Sequence, residues 1–323
     1  MSSRPTLLPH LRPLWRDSRT LQLGIDPARA LVVEFAEPVA AGLLDLLDGA
    51  RTEAGVIVAA ATLGVPAALA RRVIAVLREA GVLIEAHALL PRGLSEAARR
   101  RLYPEAAALA LRHSPAGRTP AARLGRRHAA HVLVAGPLPD NPETDHPLGA
   151  TVVDALTAAG VGRVSRIGGD RAPERRSAGF VVRLGAEPRP TALAARAYAR
   201  AAVAYLSITI RDGAVLVGPL VPPAGSPCLS CLDLHRGDRD PAWPALAAQL
   251  AGVAAPPPAC AATTALAGAA YAAAEVLAYL DGDVGHTYGA MVEVSGPGQA
   301  RSRSWAPHPR CDCRRLRRSS LHG

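Results

Sequence analysis

Two cysteine pairs are the residues of this chain best placed to do chemistry. Cys228 and Cys231 stand two residues apart in "SPCLSC", and Cys311 and Cys313 one residue apart in "RCDC". Each short spacing lets two sulfurs grip one ion, so the pairs can complete a tetrahedral zinc site. They lie far apart in the chain, so such a site would close the C-terminal tail onto the body. A redox pair and unreactive surface thiols are the other readings. A redox C-x-x-C usually opens a helix, whereas this one follows a Gly-Ser-Pro turn; arginines around the second pair would favour thiolates. Cys260 stands alone in an apolar helical stretch and reads as core.

Two further patterns invite a chemical reading. A nucleotide-binding β-α turn wants G-x-G-x-x-G directly after its strand, so that backbone N–H groups reach a phosphate. Here twelve residues, four of them proline, separate Gly136 from Gly149, and Asp140, Glu143 and Asp145 within them would repel phosphate. Asp170, after the next strand, could contact a ribose. The charged knot "HRGDRDP" (His235, Arg236, Asp238, Arg239, Asp240) reads equally as a catalytic set or as a loop of internally satisfied Arg–Asp pairs. The chain contains no lysine, all 37 basic residues being Arg, so no step can use a lysine amine.

The elements that must position these residues follow from periodicity and punctuation. "TLQLGI" and "ALVVEF", joined by "DPAR", read as a hairpin, with "PLW" as a third strand. Helical patterns follow at 37–47, 53–63 and 66–80, the last with an expected apolar stripe of Leu69, Val73, Val76 and Leu77. "VLIEA" closes an α+β module that resembles a winged helix. "HVLVAG", a helix from Gly149 and "AGVGRVSRI" form a β-α-β unit, the start of a doubly wound α/β sheet. "GFVVRL", "AYLSITI", "AVLVGPLV" and "MVEVSG" supply further strands. The expected organisation is therefore a recognition module at 1–86, a basic helical linker at 87–130 and an α/β domain at 131–323. With only two Phe in the chain, the cores must be aliphatic.

The net charge of +10 is unevenly placed. Residues 1–86 are neutral, 87–131 carry +7, 132–298 carry −3 and 299–323 carry +6. A neutral N-terminal module argues against a nucleic-acid-binding winged helix, because non-specific affinity comes mainly from Lys and Arg on phosphate. No secretory signal is visible at the start. The apolar stretch 259–280 is mostly Ala, carries Glu275 and reads as a packed helix rather than a membrane span. Cysteines without a signal suggest a reducing cytoplasm.

The C-terminal part resembles the ThiF/MoeB-like, ubiquitin-activating-type family through "HVLVAG", "AGVGRV", "VGPLVPPAGSPCLSC" and "HPRCDC". More closely, "GPLVPPAGSPCLSCLDLHRGDRDPAWPALAAQL" is similar to the ThiF-like, cyclodehydratase-associated proteins of thiazole/oxazole-modified peptide biosynthesis. The N-terminal hairpin and helices resemble their PqqD-like peptide-recognition element. The resemblance implies a Rossmann-like sheet with a structural zinc on Cys228, Cys231, Cys311 and Cys313. It also implies a precursor leader peptide as partner and a separate YcaO-type enzyme doing the ATP-dependent cyclisation in trans, since the chain leaves no room for that catalyst. Active adenylating relatives use a Gly-rich turn and a phosphate-binding lysine. The broken turn and the absent lysine argue against ATP, leaving Gly136, Gly149 and Asp170 as a degenerate nucleotide site. An ATP-dependent adenylyltransferase is the alternative. A leader added as a strand would meet Leu31, Val33 and Phe35 on one face and Val32 on the other, with Arg71 and Arg72 facing acidic leader residues. A homodimer is compatible with this reading.

Overall fold

Aliphatic runs bounded by glycine and proline become strands here, and alanine-rich stretches become helices. The computed structural model describes residues 3–9, 11–27, 30–35, 38–112, 118–136, 147–168, 178–186, 191–223, 227–252, 259–296 and 298–313. The chain divides into two compact units, Met1–Gly125 and Arg126–Gly323.

The first unit contains β1 (Pro5–Leu7), β2 (Pro13–Trp15), β3 (Thr20–Leu23) and β4 (Leu31–Glu34). A 3-10 helix at Pro38–Leu46 follows, then α1 (Glu53–Thr62), α2 (Ala67–Glu79) and β5 (Leu83–Glu85). The expected hairpin forms: β2, β3 and β4 make an antiparallel meander with Leu14 opposite Gln22 and Gln22 opposite Val32. Asp17 builds its first turn by accepting from the N–H of Arg19 and of Thr20, at 2.8 and 2.7 Å. Those bonds hold its carboxyl below the usual carboxylate range. Thr52 caps α1, its hydroxyl accepting from the Gly55 N–H at 3.1 Å. β5 pairs with β1 in a separate two-stranded sheet.

The core of this unit joins Leu21, Leu23 and Phe35 to Leu43, Val56, Ile74 and Leu77. The buried stripe of α2 differs from the expected one. Ala70, Val73, Ile74 and Leu77 face inward, Leu69 is half-buried and Val76 is 47% exposed. At 3.6 residues per turn, positions 69 and 76 fall about 100° round from the centre of the true stripe. Beyond β5 come α3 (Glu96–Leu111) and α4 (Pro120–Ala129). The stretch read as a linker thus has a small core of its own, formed by Leu89, Ala106, Leu109 and Leu124.

The second unit is built on seven strands. They are β6 (His131–Gly136), β7 (Arg163–Gly168), β8 (Phe180–Ala186), β9 (Ala204–Arg211), β10 (Ala214–Val221), β11 (Ala290–Gly296) and β12 (Gln299–Ser304). Their order is β12-β11-β10-β9-β8-β6-β7. The segment β7-β6-β8-β9 is parallel, and β9 to β12 is an antiparallel meander. Helix α5 (Pro147–Ala158) makes the β6–β7 crossover and α6 (Thr191–Ala201) the β8–β9 crossover. Helices α7 (Leu229–Arg239) and α8 (Trp243–Gly252) follow β10, and α9 (Ala262–Asp281) precedes β11.

Strands buried on both faces need cover on both. One face packs Val134, Val182, Leu206 and Val215 against Leu148 and Val152 of α5 and Ala269, Ala272 and Val276 of α9. Gly268 lets α9 approach β10: a Cβ there would lie 2.4 Å from Val215 Cγ1. Helix α9 is long and apolar enough to cross a membrane by length and composition, but Ala265, Ala269, Ala272 and Val276 are core residues of this unit. Its Glu275 is 4% exposed and accepts from the Thr287 hydroxyl at 2.6 Å and the Thr287 N–H at 2.9 Å. Cys260 lies just ahead of α9 rather than on it, bridged to Gly213 and half-buried.

One buried ion pair fixes α9 within this unit. Arg127 donates from Nε and Nη2 to the two oxygens of Asp281, at 2.8 and 2.7 Å, and from Nη1 to the Ala159 carbonyl at 3.2 Å. Both side chains are 3% exposed. Removing one partner of such a pair strands a buried charge. Asp281→Ala is therefore expected to cost about 3–5 kcal/mol, read as a fall in the denaturation midpoint. A change below about 1 kcal/mol would show that the pair carries no such weight.

Candidate functional site

The metal-binding candidates are assembled by a helix start and a returning C-terminal segment. Cys228 has extended backbone and caps α7, and Cys231 lies one turn along the same helix, so both sulfurs share a face. The C-x-x-C thus does open a helix, contrary to the sequence reading. Its place at a helix start is therefore compatible with a redox pair as well, and the second pair of cysteines decides between the readings. Segment 305–313 brings that pair in, with the Cys311 N–H donating to the His308 carbonyl at 3.0 Å. The sulfur separations are 3.8 Å for Cys228–Cys231, 3.7 Å for Cys228–Cys311 and 3.6 Å for Cys231–Cys313. All four sulfurs lie within 4.8 Å of one another.

A tetrahedron with about 2.3 Å metal–sulfur bonds has edges of about 3.8 Å, so the four sulfurs could hold one metal ion. These distances are far beyond the roughly 2.05 Å of a disulfide. Cys228, Cys231 and Cys313 are buried and Cys311 is half-buried. Without a cation the sulfurs share protons. Hydrogen bonding within the pair pushes the Cys228 thiol up and holds Cys231 low, and burial pushes Cys311 up to about 12. A bound cation lets all four lose their protons.

The charged knot turns out to be the last turns of α7, not a loop, and it holds the returning segment. The His235 ring meets the Ala306 carbonyl at 2.8 Å. Asp238 meets His308 Nε2 at 2.7 Å and also binds Arg310. The Arg310 N–H donates to His308 Nδ1 at 3.1 Å, so Nε2 carries the proton that Asp238 accepts. That bond from His308, with the Arg310 charge beside it, holds the Asp238 carboxyl below its ordinary range. Arg236 pairs with Asp233 and stacks on Trp243, 4.8 Å from the ring centroid. Asp240 accepts from the Ala242 N–H at 2.9 Å, turning the chain into α8. These bonds account for the knot as a clamp on residues 306–310.

An apolar cavity of about 390 Å³ lies against the cluster. Tyr205, Val221, Trp243 and Pro244 line it, with Cys228, Cys311 and Cys313 at its wall. Because Val221 pairs with Tyr205 near the start of β9, the cavity sits at the end of the sheet opposite the carboxyl ends of the parallel strands.

Those carboxyl ends form the crevice where an open α/β sheet binds ligands. Gly136 and Gly149 both lie there, but packing explains them. A Cβ on Gly136 would stand 2.7 Å from Leu184 Cβ, and one on Gly149 would stand 2.9 Å from Arg166 Nη2. Two arginines that sequence reasoning missed flank the crevice. Arg166 is opposite Val134, and Arg183 lies between Ala135 and Ser207 in the sheet. Arg183 is 2% exposed. The only available signal was an Arg inside each apolar strand run. Asp170 and the insert 137–146 lie outside the described residues.

In the first unit β4 is the outermost strand of its sheet. Leu31 and Val33 are half-buried and Phe35 is 3% exposed, while Val32 on the other face is 45% exposed. Arg71 and Arg72 are exposed on α2. Arg72 shares a helix face with Leu69 and Val76. Arg71 lies on the side of Arg78, which pairs with Glu53 at 2.7 Å.

No family model matches the chain, and no curated protein matches it significantly. Among solved structures, the heterocyclase TruD matches with a TM-score of 0.67 at 16% identity, over 96% of this chain and 42% of TruD. A heterocyclase in complex with substrate and cofactor gives 0.65 at 18% identity, over 95% of this chain and 39% of that one. Escherichia coli MccB with AMPCPP and selenomethionyl MccA gives 0.64 at 13% identity, over 97% of this chain and 99% of MccB. The chain spans about two fifths of the length of the heterocyclases, and at these identities the likeness is one of fold.

Metal removal should therefore act on the second unit. Stripping with a strong chelator, or Cys231→Ser, is expected to remove about 3 kcal/mol or more of stability, a fall in Tm of about 6–12 °C. Far-UV and near-UV melting of the purified chain measures it. Unchanged melting after chelator treatment or in Cys231→Ser would mean that no metal at the cluster stabilises this unit.

Proposed function

We propose that this chain is a zinc-stabilised, non-catalytic scaffold that binds the leader of a ribosomally made precursor peptide and presents it to a separate YcaO-type cyclodehydratase. The observation that carries this reading is the outer edge of β4. An extended peptide can pair there with a row of backbone N–H and C=O groups, its alternate side chains meeting Val32 on one side and the Leu31–Val33–Phe35 face on the other. Exposed Val76 and Arg72 on α2 offer an apolar contact and a charge for an acidic leader. The fold likeness to MccB solved with MccA, and to a heterocyclase solved with its substrate, supports a role in peptide modification and runs through both units. Zinc is the expected ion because four thiolates in a closed tetrahedron suit it, and a reducing cytoplasm would keep those thiols available.

The second reading is an ATP-dependent adenylyltransferase. Arg166 favours it: its guanidinium stands at the first turn of α5, where a phosphate would be cradled, and MccB was solved with AMPCPP. Against it stand the interrupted glycine turn and the absence of lysine.

Two measurements separate the readings. Titration of the full chain with the leader of a precursor encoded beside it should protect the amides of residues 31–35 from exchange. Arg72→Glu should weaken binding about tenfold. Protection only in the second unit would refute the β4 site. ATP–pyrophosphate exchange with that peptide should stay at background. A clear signal abolished by Arg166→Ala would establish the adenylating reading instead.

A further inference from the structure

The last strand of the seven-stranded sheet is exposed along its whole length. All six residues of β12, Gln299–Ser304, face solvent, and β12 is an outermost strand, so among the described residues one row of its backbone groups has no strand beside it. The opposite edge, β7, is half-buried over most of its length. In β12 the register places Arg301 opposite Glu293 and Arg303 opposite Met291 on one face, and Ala300 and Ser302 on the other. Beside that arginine-bearing face lies a hollow of about 60 Å³, lined by Arg211, Arg236, Arg239, Arg303, Glu293 and Trp305 among others. It has room for a carboxylate.

The charges there are unevenly satisfied. Arg211 lies 4.0 Å from Glu293, and Arg236 pairs with Asp233. Arg239, Arg301 and Arg303 enter no ion pair among the described residues. We propose that the β12 edge and the adjoining hollow dock an extended acidic segment of a partner protein, added as an eighth strand. Arg301 and Arg303 are two residues apart, so they would meet carboxylates at alternate positions of the incoming strand. The same arginines set like charges facing each other if a second copy approaches edge to edge, which is how edge strands deter self-pairing. An anionic strand meets no such barrier. This docking does not depend on leader binding at β4: it uses a different sheet, and either can fail without the other.

The test uses the full chain and a short synthetic peptide alternating Glu and Val, with the Gln-for-Glu peptide as control. Hydrogen exchange locates binding and calorimetry measures it at low and high salt. Protection is expected at residues 299–304, weakened by salt and absent with the Gln peptide. Arg301→Gln with Arg303→Gln should weaken the Glu peptide about tenfold or more without changing the melting curve, because both side chains are in solvent and neither change sets a like charge opposite Glu293. Arg239→Ala, at the exposed end of α7, should give a smaller loss. Protection confined to residues 31–35, or binding unchanged in the double variant, would overturn the proposal. Single-stranded RNA bound more tightly than the peptide through the same arginines would overturn it in favour of nucleic acid. Protection of 299–304 that rises with protein concentration alone would overturn it in favour of a second copy.

Discussion

Four thiols in one small, mostly buried volume cannot all ionise unless a cation balances them. That constraint organises the second unit. Cys228 and Cys311 are separated by 83 residues in the chain, and α8, α9, β11 and β12 all lie between the two pairs. Tying the ends of so long a loop restricts the unfolded chain, by the loop-entropy estimate for a cross-link, by about 4–5 kcal/mol. The clamp made by His235 and Asp238 on Ala306, His308 and Arg310 works toward the same end. It holds the returning segment against α7, next to the four sulfurs.

The two ends of the sheet then take different tasks. At the end nearer the cysteines, Tyr205 and Val221 floor an apolar cavity. At the other, the carboxyl ends of β6 and β8 lie beside Gly136, Gly149 and two arginines, Arg166 and Arg183. Gly136 is needed for the contact with Leu184 and Gly149 for room beside Arg166. A glycine in a strand-to-helix position is thus no proof of a phosphate: at Gly136 close packing against Leu184 accounts for it.

Much of this was legible in the sequence where one physical signal dominates. The hairpin of β3 and β4 followed from alternation and an Asp-Pro turn, and the β6-α5-β7 unit from an apolar run, a helix and a second strand. For the cysteine cluster, spacing offered a four-sulfur site as one of several readings, and the family resemblance pointed to it. What escaped had no apolar period. Helix α7 ends in a run of charges and α8 opens on Trp243-Pro244, so "HRGDRDP" read equally as a loop, although His235 and Asp238 are satisfied across the chain by residues 306–310. Strand β12, "QARSRS", is exposed on both faces, so nothing selected it for alternation. It exists because β11 offers a partner. Strand β1 is three residues long and depends likewise on β5. The stripe of α2 was misplaced by one helical step because Val76 is apolar yet exposed, and the alanine at position 70 carries the contact instead.

The placement of the tryptophans has an optical consequence. The chain has three. Trp15 is exposed on β2 of the first unit. Trp243 lines the cavity beside the cysteines with a guanidinium stacked on its ring, and Trp305 packs on Leu216, Leu232 and Met291 at the root of the clamped segment. Two of the three indoles therefore report on the region around the cysteine cluster, and the third reports on the other unit. Emission from one unmodified chain carries separable signals. A red shift from Trp243 and Trp305 would follow loss of the cluster, while Trp15, already in water, would stay nearly constant and serve as an internal reference.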